Sequence, residues 1–149
     1  MGGAQRGAVV RMRFVDANVF IYALLKPRKE PPENVKQIKD RAKNILSRIS
    51  EGERATTTVV HLSEVANVLE SRASKSLAAE FIRTILTGEN IEVLDVSPGD
   101  YLKASLMAEE MNIGVNDALA YVKMQELGIK EIYTFDRDFE RLNVRIVRE

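Results

Sequence analysis

The stretch Phe14-Val15-Asp16-Ala17-Asn18-Val19-Phe20 joins the end of an apolar strand to the start of an apolar helix. The strand is predicted to begin at Met12 and to end at Asp16, and residues 17–25 are apolar enough to form a buried helix. An acidic side chain between two buried elements is unusual, because carboxylates are seldom buried without a partner. The stretch therefore predicts a strand–helix unit with a carboxylate at its turn.

The same alternation of strands and helices continues to the end of the chain. Helical spacing of apolar residues predicts helices over residues 34–50, 59–71, 74–87, 98–111 and 116–128, the last of them capped by Asn116. Short strands are predicted over residues 55–58, 91–94, 131–135 and 144–147. Alternating elements are typical of a parallel sheet that is covered on both faces. The predicted fold class is therefore α/β, a three-layer α/β/α sandwich around a central parallel sheet of four to five strands.

Length and composition limit the possible functions. A chain of 149 residues with 45% hydrophobic content suits one domain, which we expect over residues 11–149 after a flexible amino-terminal tail over residues 1–10. The 22 basic and 22 acidic residues cancel, which excludes a uniformly basic coat for nucleic acids. The chain has neither a run of about 18 apolar residues nor the apolar core of a signal peptide, so we expect a cytoplasmic protein without a membrane span.

Cysteine and histidine usage limits the chemistry. The absence of cysteine excludes disulfides, iron–sulfur clusters, thiol catalysis and thiolate zinc sites. The single histidine, His61, excludes a metal site built from several histidines. We expect His61 to be a structural or a surface residue rather than a general base. A Ser-His-Asp triad would therefore depend on this one residue.

Four acidic residues lie where simple solvation explains them poorly. Asp16 and Asp136 each follow a predicted buried strand, and the carboxyl ends of parallel strands meet at the sheet edge where ligands bind. Glu64 falls between two valines around its helix. Asp117 leads the apolar stripe of the helix predicted over residues 116–128. Each position also has a plainer explanation, because an acid can cap a helix or a turn and a glutamate stem can cover apolar surface.

A divalent cation explains these acids as a group. Several carboxylates in one pocket repel one another unless cations lie among them. Hard cations prefer oxygen ligands, and the shortage of histidine and cysteine favours Mg²⁺ or Mn²⁺ over zinc. Such ions polarise a phosphate and stabilise the leaving oxygen. The acids therefore predict phosphoryl chemistry that depends on a metal.

Four motifs follow one another along the chain: Phe-Val-Asp-Ala-Asn-Val-Phe at 14–20, Ser-Glu-Val-Ala-Asn-Val-Leu at 63–69, Asn-Asp-Ala-Leu-Ala at 116–120 and Thr-Phe-Asp-Arg-Asp-Phe at 134–139. Together they resemble the motifs of PIN-domain ribonucleases, and most of all those of the VapC-type toxins of type II toxin–antitoxin pairs. The resemblance extends from about Met12 to Val147. Each motif is weak alone, and their order and spacing make the set specific.

The resemblance implies a fold, a reaction and partners. It implies a PIN-like sandwich that cleaves RNA endonucleolytically with water as nucleophile and Mg²⁺ or Mn²⁺ as cofactor. It implies a homodimer and a protein antitoxin that blocks the acidic cleft. The metal-binding and catalytic residues that it implies are Asp16, Glu64, Asp117 and Asp136, with Asp138 as a further ligand and Asn18 and Thr134 as residues that position ligands or water.

An acidic pocket repels RNA unless metals fill it and basic groups flank it. Two groups of basic residues are candidates for this flank, one after the first helix and one beside the last acid, and the alternative for each is an ordinary solvated charge. The candidates are Lys26, Arg28, Lys29, Arg137 and Arg141.

Three other functions remain open at this point. The chain could be a housekeeping RNA-processing nuclease, or a non-catalytic PIN-like module that binds RNA or a protein. A phosphatase or phosphotransferase with an aspartyl nucleophile could use a similar sheet. Such enzymes need a second acid two residues after the first, where this chain has Asn18.

Overall fold

The computed structural model describes residues 12–148, and the predicted tail over residues 1–10 lies outside the described residues. The central sheet has the strand order β3-β2-β1-β4-β5, and every neighbouring pair is parallel. Its strands are β1 Arg13–Val15, β2 Ala55–Thr58, β3 Ile91–Leu94, β4 Glu131–Tyr133 and β5 Arg145–Ile146. The predicted α/β class with a parallel sheet is confirmed.

Helices cover both faces of this sheet, because each parallel connection must cross from one end of the sheet to the other. Helices α1 to α4 pack on one face and helices α5 and α6 on the other. The helices are α1 Ala17–Leu24, α2 Glu33–Ser50, α3 Val59–Arg72, α4 Lys75–Thr87, α5 Pro98–Met111 and α6 Val115–Leu127, with a 3₁₀ helix at Arg137–Arg141. Among the described residues, no helix has the length and apolar content to cross a membrane.

Two predicted element ends were wrong. Asn116 does not cap α6, which begins at Val115 after an N-cap at Gly114. The Asn116 side chain bonds to other helices instead, so it is not available to cap its own. Strand β4 ends at Tyr133 rather than at Phe135, because the amide of Phe135 donates to Asn18 Oδ1 at 3.3 Å instead of to a strand.

The sheet register places the carboxyl ends of β1 and β4 side by side. Val15 is paired with Tyr133, and the amide of Asp16 donates to the carbonyl of Tyr133 at 3.0 Å. Strand β2 ends on the other side of β1 and leads directly into α3. Side chains that follow these three strands therefore meet at one edge of the sheet, which we call the carboxyl edge.

The opposite edge, where the strands begin, carries a network of ion pairs that we call the amino-edge cluster. It consists of Arg13, Glu53, Glu131, Tyr133 and Arg145. Arg13 donates to Glu131 at 3.0 Å, to Glu53 at 3.3 Å and to the Tyr133 hydroxyl at 2.6 Å. Arg145 donates to the second oxygen of Glu131 at 2.9 Å. Each charge of the amino-edge cluster therefore has a partner of opposite sign.

Candidate metal centre

The carboxyl edge brings the predicted acids together. One carboxylate oxygen from each of Asp117, Asp136 and Asp138 lies within 4.8 Å of the others. Glu64, Asp117 and Asp136 line the same open cavity. Asp16 is close enough for its charge to act on Asp117. We call these five residues the acidic centre: Asp16, Glu64, Asp117, Asp136 and Asp138.

Asp16 caps a helix and also faces the other acids. Its Oδ1 accepts a hydrogen bond from the amide of Ala17 at 2.8 Å, so the residue caps α1. Its Oδ2 accepts from the Thr134 hydroxyl at 2.7 Å, and the side chain faces the other acids. Burial, with smaller contributions from the charges of Glu64 and Asp136, raises the pKa of Asp16 to about 6.

Asp117 lies in the first turn of α6 and has the strongest perturbation of the group. Burial raises its pKa to about 8, with help from a hydrogen bond to the Asp136 carboxyl group and from the charges of Asp16, Asp136 and Asp138. A carboxyl group with this pKa keeps a proton near neutral pH, because burial and the neighbouring acids disfavour its charged form.

The donor set of the acidic centre fits a hard divalent cation. Every candidate ligand is a carboxylate oxygen, which Mg²⁺ and Mn²⁺ prefer. The oxygens of Asp117, Asp136 and Asp138 are close enough to share one ion, and an ion there would replace the proton on Asp117. Of the two predicted arginines here, Arg141 lies 3.8 Å from Asp138, and Arg137 is 91% exposed and lies 3.7 Å from Glu140.

Thr134 and Asn18, the two predicted supporting residues, hold these acids in place. The Thr134 hydroxyl donates to Asp16 and accepts from the amide of Asp136 at 3.0 Å, so one side chain fixes both acids. Asn18 approaches the same hydroxyl at 3.4 Å and accepts from the amide of Phe135. The amide of Asp138 in turn donates to Asp136 Oδ1 at 2.9 Å. These hydrogen bonds thus orient Asp16, Asp136 and Asp138.

Two further polar residues are linked to Glu64, Asn116 directly and Tyr101 through Asn116, and the sequence patterns did not reveal these contacts. Asn116 Nδ2 donates to Glu64 Oε1 at 3.0 Å, and the Tyr101 hydroxyl donates to Asn116 Oδ1 at 2.7 Å. Asn116 stood beside a predicted acid, and its preference for helix starts suggested a cap instead. Tyr101 is on α5, far from every motif, and no sequence signal connects it with the centre.

His61 lies in the core and not on the surface. It is fully buried, and its ring packs edge-on against Phe14 with centroids 5.1 Å apart. Burial lowers the pKa of His61 to about 4, so the ring is neutral at physiological pH. Its two nitrogens contact Thr58 and the carbonyl of Asn116. These contacts agree with the predicted structural role.

The predicted basic flank divides into two parts. Arg137 and Arg141 lie on the 3₁₀ helix that begins directly after Asp136. Lys26, Arg28 and Lys29 are exposed and follow the far end of α1. Helix α1 has eight residues, so about 12 Å of helix separates these three basic residues from Asp16. The structure brings the first pair to the acidic centre and leaves the loop residues at a distance.

The chain is similar to a known family in sequence and to known proteins in fold. The family profile described as the PIN domain matches residues 13–144. VapC20 of Mycobacterium tuberculosis, a toxin described as cleaving the sarcin–ricin loop, is similar in structure with a TM-score of 0.71. It is 23% identical, over 93% of this chain and 99% of its own. No curated protein shows significant similarity to the chain.

Two complexes contain similar chains. One is VapBC2 from Rickettsia felis bound to a DNA fragment from its promoter, with a TM-score of 0.60 and 18% identity over 91% of this chain and 97% of the other. The second is a toxin–antitoxin complex from Klebsiella pneumoniae, with a TM-score of 0.59 and 13% identity over 91% of this chain and 96% of the other. At these identities, the similarity shows a shared fold.

Proposed function

The chain belongs to the PIN-domain family, and we propose that it is an endoribonuclease that hydrolyses RNA phosphodiester bonds with Mg²⁺ or Mn²⁺. The observation that carries this proposal is the acidic centre at the carboxyl edge. Burial and the neighbouring carboxylates raise the pKa of Asp117 to about 8, so it retains a proton near neutral pH. A divalent cation that displaced this proton would give a site suited to a phosphodiester, because the cation would polarise the phosphoryl oxygen.

The proposal gives each residue of the acidic centre a task. Asp16, Glu64, Asp117 and Asp136 would hold the metal and orient the attacking water, and Asp138 would add a further ligand. Thr134 keeps Asp16 and Asp136 at a fixed separation, and Asn18 supports Thr134 from the adjacent helix turn. This leaves few rearrangements to be made when the metal binds.

Substrate contacts are proposed for the 3₁₀ helix. Arg137 is exposed next to Asp136, and Arg141 donates to the carbonyl of Asn112 at 3.0 Å beside the acidic centre. Both are positioned to meet phosphates that flank the scissile bond. Lys26, Arg28 and Lys29 could contact RNA only at some distance along the strand, so we propose a smaller contribution for them.

We propose that the protein acts in the cytoplasm as the toxin of a type II pair, as a homodimer that a protein antitoxin inhibits. Support comes from the shared fold with a described toxin and with a chain of a described toxin–antitoxin complex. A short reading frame directly upstream that encodes a DNA-binding antitoxin would support this role. An isolated gene would favour the alternative, a housekeeping RNA-processing nuclease.

The competing aspartyl-nucleophile chemistry has less support. It requires an acid two residues after Asp16, and the amide of Asn18 at that position is occupied by Thr134 and by the amide of Phe135. A non-catalytic binding module has no need for an acidic centre that is costly without cations. Both functions predict that RNA stays intact.

The test is a cleavage assay with purified protein. Total RNA and a sarcin–ricin loop oligonucleotide are incubated with Mg²⁺ or Mn²⁺, with excess EDTA, and with the Asp16→Asn variant. We expect cleavage only with the metal and the unchanged chain. Cleavage that persists in EDTA, or that is undiminished by Asp16→Asn, would contradict the assigned centre. RNA that is bound but left intact would favour the binding module.

A further inference from the structure

Asn116 lies where two layers of the sandwich meet. Helix α3, which carries Glu64, buries its apolar face on one side of the sheet, and α6, which carries Asp117, packs on the other side. The sheet separates these helices along most of their length, so they can approach each other only around the carboxyl edge. Asn116 is in the first turn of α6 and makes two hydrogen bonds to α3 there.

The first of these bonds fixes the main chain of Asn116. Thr58 Oγ1 accepts hydrogen bonds from the amides of Val60 and His61, both at 3.1 Å, so its single proton points to His61 Nδ1 at 2.7 Å. The ring proton of the neutral His61 is therefore on Nε2, which donates to the carbonyl of Asn116 at 3.0 Å. This bond does not depend on the side chain at position 116.

The second bond fixes the side chain. A carboxylate only accepts hydrogen bonds, so the Asn116 group at 3.0 Å from Glu64 Oε1 must be the amide nitrogen. The amide oxygen then points the opposite way, where the Tyr101 hydroxyl donates to it at 2.7 Å. Tyr101, Asn116 and Glu64 thus form a directed chain, in which the Tyr101 hydroxyl donates to Asn116 and Asn116 donates to Glu64. The chain turns Glu64 towards the cavity that Asp117 and Asp136 also line.

We propose that Asn116 is a positioning residue that orients the Glu64 carboxylate towards the metal of the acidic centre, with Tyr101 holding its amide. With Oε1 engaged by Asn116, Oε2 would be the oxygen left to hold a metal. Glu64 comes from a different layer than Asp117, and a glutamate has three rotatable bonds, so it needs this restraint more than the acids at strand ends do. The inference rests on the proposed function, because it assumes that the centre binds a metal.

The test measures Mn²⁺ binding and cleavage separately. Mn²⁺ affinity is determined by isothermal titration calorimetry for the unchanged chain and for Asn116→Ala, Tyr101→Phe and Asn143→Ala. Asn143 is exposed and precedes β5, at the amino end of the sheet, so it serves as the matched control. Cleavage rates are then recorded over a range of Mn²⁺ concentrations, and thermal unfolding checks that each variant is folded.

We expect Asn116→Ala to weaken Mn²⁺ binding about tenfold or more, as is typical when a group that orients a metal ligand is removed. Tyr101→Phe should weaken it about threefold, because one neutral hydrogen bond is lost. The cleavage rate of Asn116→Ala should recover at high Mn²⁺ concentration, and Asn143→Ala should match the unchanged chain. A purely structural role for Asn116 would lower the unfolding temperature and leave the Mn²⁺ affinity of the folded protein unchanged.

The outcomes separate this inference from the proposed function. If the unchanged chain binds Mn²⁺ and Asn116→Ala binds it equally well, the inference is wrong and the proposed function stands. If the unchanged chain binds no Mn²⁺, the metal centre and the inference both fail. If Asn116→Ala does not fold, an unaltered Mn²⁺ affinity in Tyr101→Phe would still overturn the inference, since its ring is 40% exposed and the loss of the hydroxyl leaves the core intact.

Discussion

The two edges of the sheet are built from the same strands, but the pKa values of their acidic side chains shift in opposite directions. At the amino edge, hydrogen bonds from Arg145 and Arg13 lower the pKa of Glu131. At the carboxyl edge, burial and neighbouring carboxylates raise the pKa of Asp16 to about 6 and that of Asp117 to about 8. At the amino edge each acid has an arginine partner, whereas at the carboxyl edge Asp117 lies against Asp136, and the arginine contact is the one of 3.8 Å between Arg141 and Asp138.

This difference distinguishes an ionic structure that supports the fold from one that serves a function. Both edges join β1 to β4 across the same span, since the Arg13–Glu131 and Thr134–Asp16 bonds each link residues 118 positions apart. An acid with an arginine partner contributes to stability. Buried acids held close to one another reduce stability, and such clusters are common where a ligand makes use of their charge.

The largest expected effect is on RNA cleavage. Asp117→Asn should lower kcat/KM about a thousandfold, because metal stabilisation of the transition-state charge amounts to several kcal/mol. Glu131→Gln at the amino edge should change it by no more than about twofold below its unfolding temperature. The measurement is a single-turnover assay of both variants. Equal losses in the two would remove the functional contrast between the edges.

The second effect is stabilisation by metal. At 100 times the dissociation constant, Mn²⁺ should raise the free energy of unfolding by about 2.7 kcal/mol. Glu131→Gln should keep this gain, and Asp117→Asn should lose most of it. Urea unfolding with Mn²⁺ and with EDTA measures both. A gain that survives in Asp117→Asn would place the metal elsewhere.

The third effect is on stability without metal. Glu131→Gln should lower the free energy of unfolding by about 2 kcal/mol, because the Arg13 side chain, which is 14% exposed, loses one of its two charged partners. Glu92→Gln on β3 is the control, since Glu92 is exposed and the change should stay within about 0.5 kcal/mol. Urea unfolding in EDTA compares the two. If both substitutions lower the free energy of unfolding by the same small amount, the amino-edge cluster does not stabilise the fold.

The smallest expected effect is on how the stability of the fold depends on pH. The pKa of Asp117 is about 8 in the folded chain and 3.8 as its ordinary value. The folded state therefore holds a proton that the unfolded state has lost, and the stability that this proton confers disappears as the pH rises through about 8.

The unfolding temperature in EDTA should consequently fall by about 3 °C between pH 7 and pH 9. Asp117→Asn should abolish this fall, because its amide does not titrate. Glu131→Gln should retain it, since the pKa of Glu131 lies below its ordinary range and the group stays ionised throughout. A fall that persists in Asp117→Asn would assign the proton to another group.

The sequence predicted the elements well because their signals are local. Apolar periodicity and short polar breaks located the strands and helices to within about two residues, as for β2 at Ala55–Thr58. Acids that followed apolar strands indicated the carboxyl edge for the same reason. The error at Asn116 shows the limit of such signals, since an asparagine near a helix start is typical of a cap and its partner here is 52 residues away.

The sequence by itself determined that this is an α/β protein with acids at strand ends and with little besides oxygen to bind a metal. Only the tertiary structure decided which charges are neutralised. The numbers of basic and acidic residues are equal at 22 each, yet Arg13 and Arg145 meet Glu131 at one edge, whereas Asp117 shares a hydrogen bond with Asp136 at the other. Electrostatic energy depends on distance in space and on burial, and strands far apart in sequence set both.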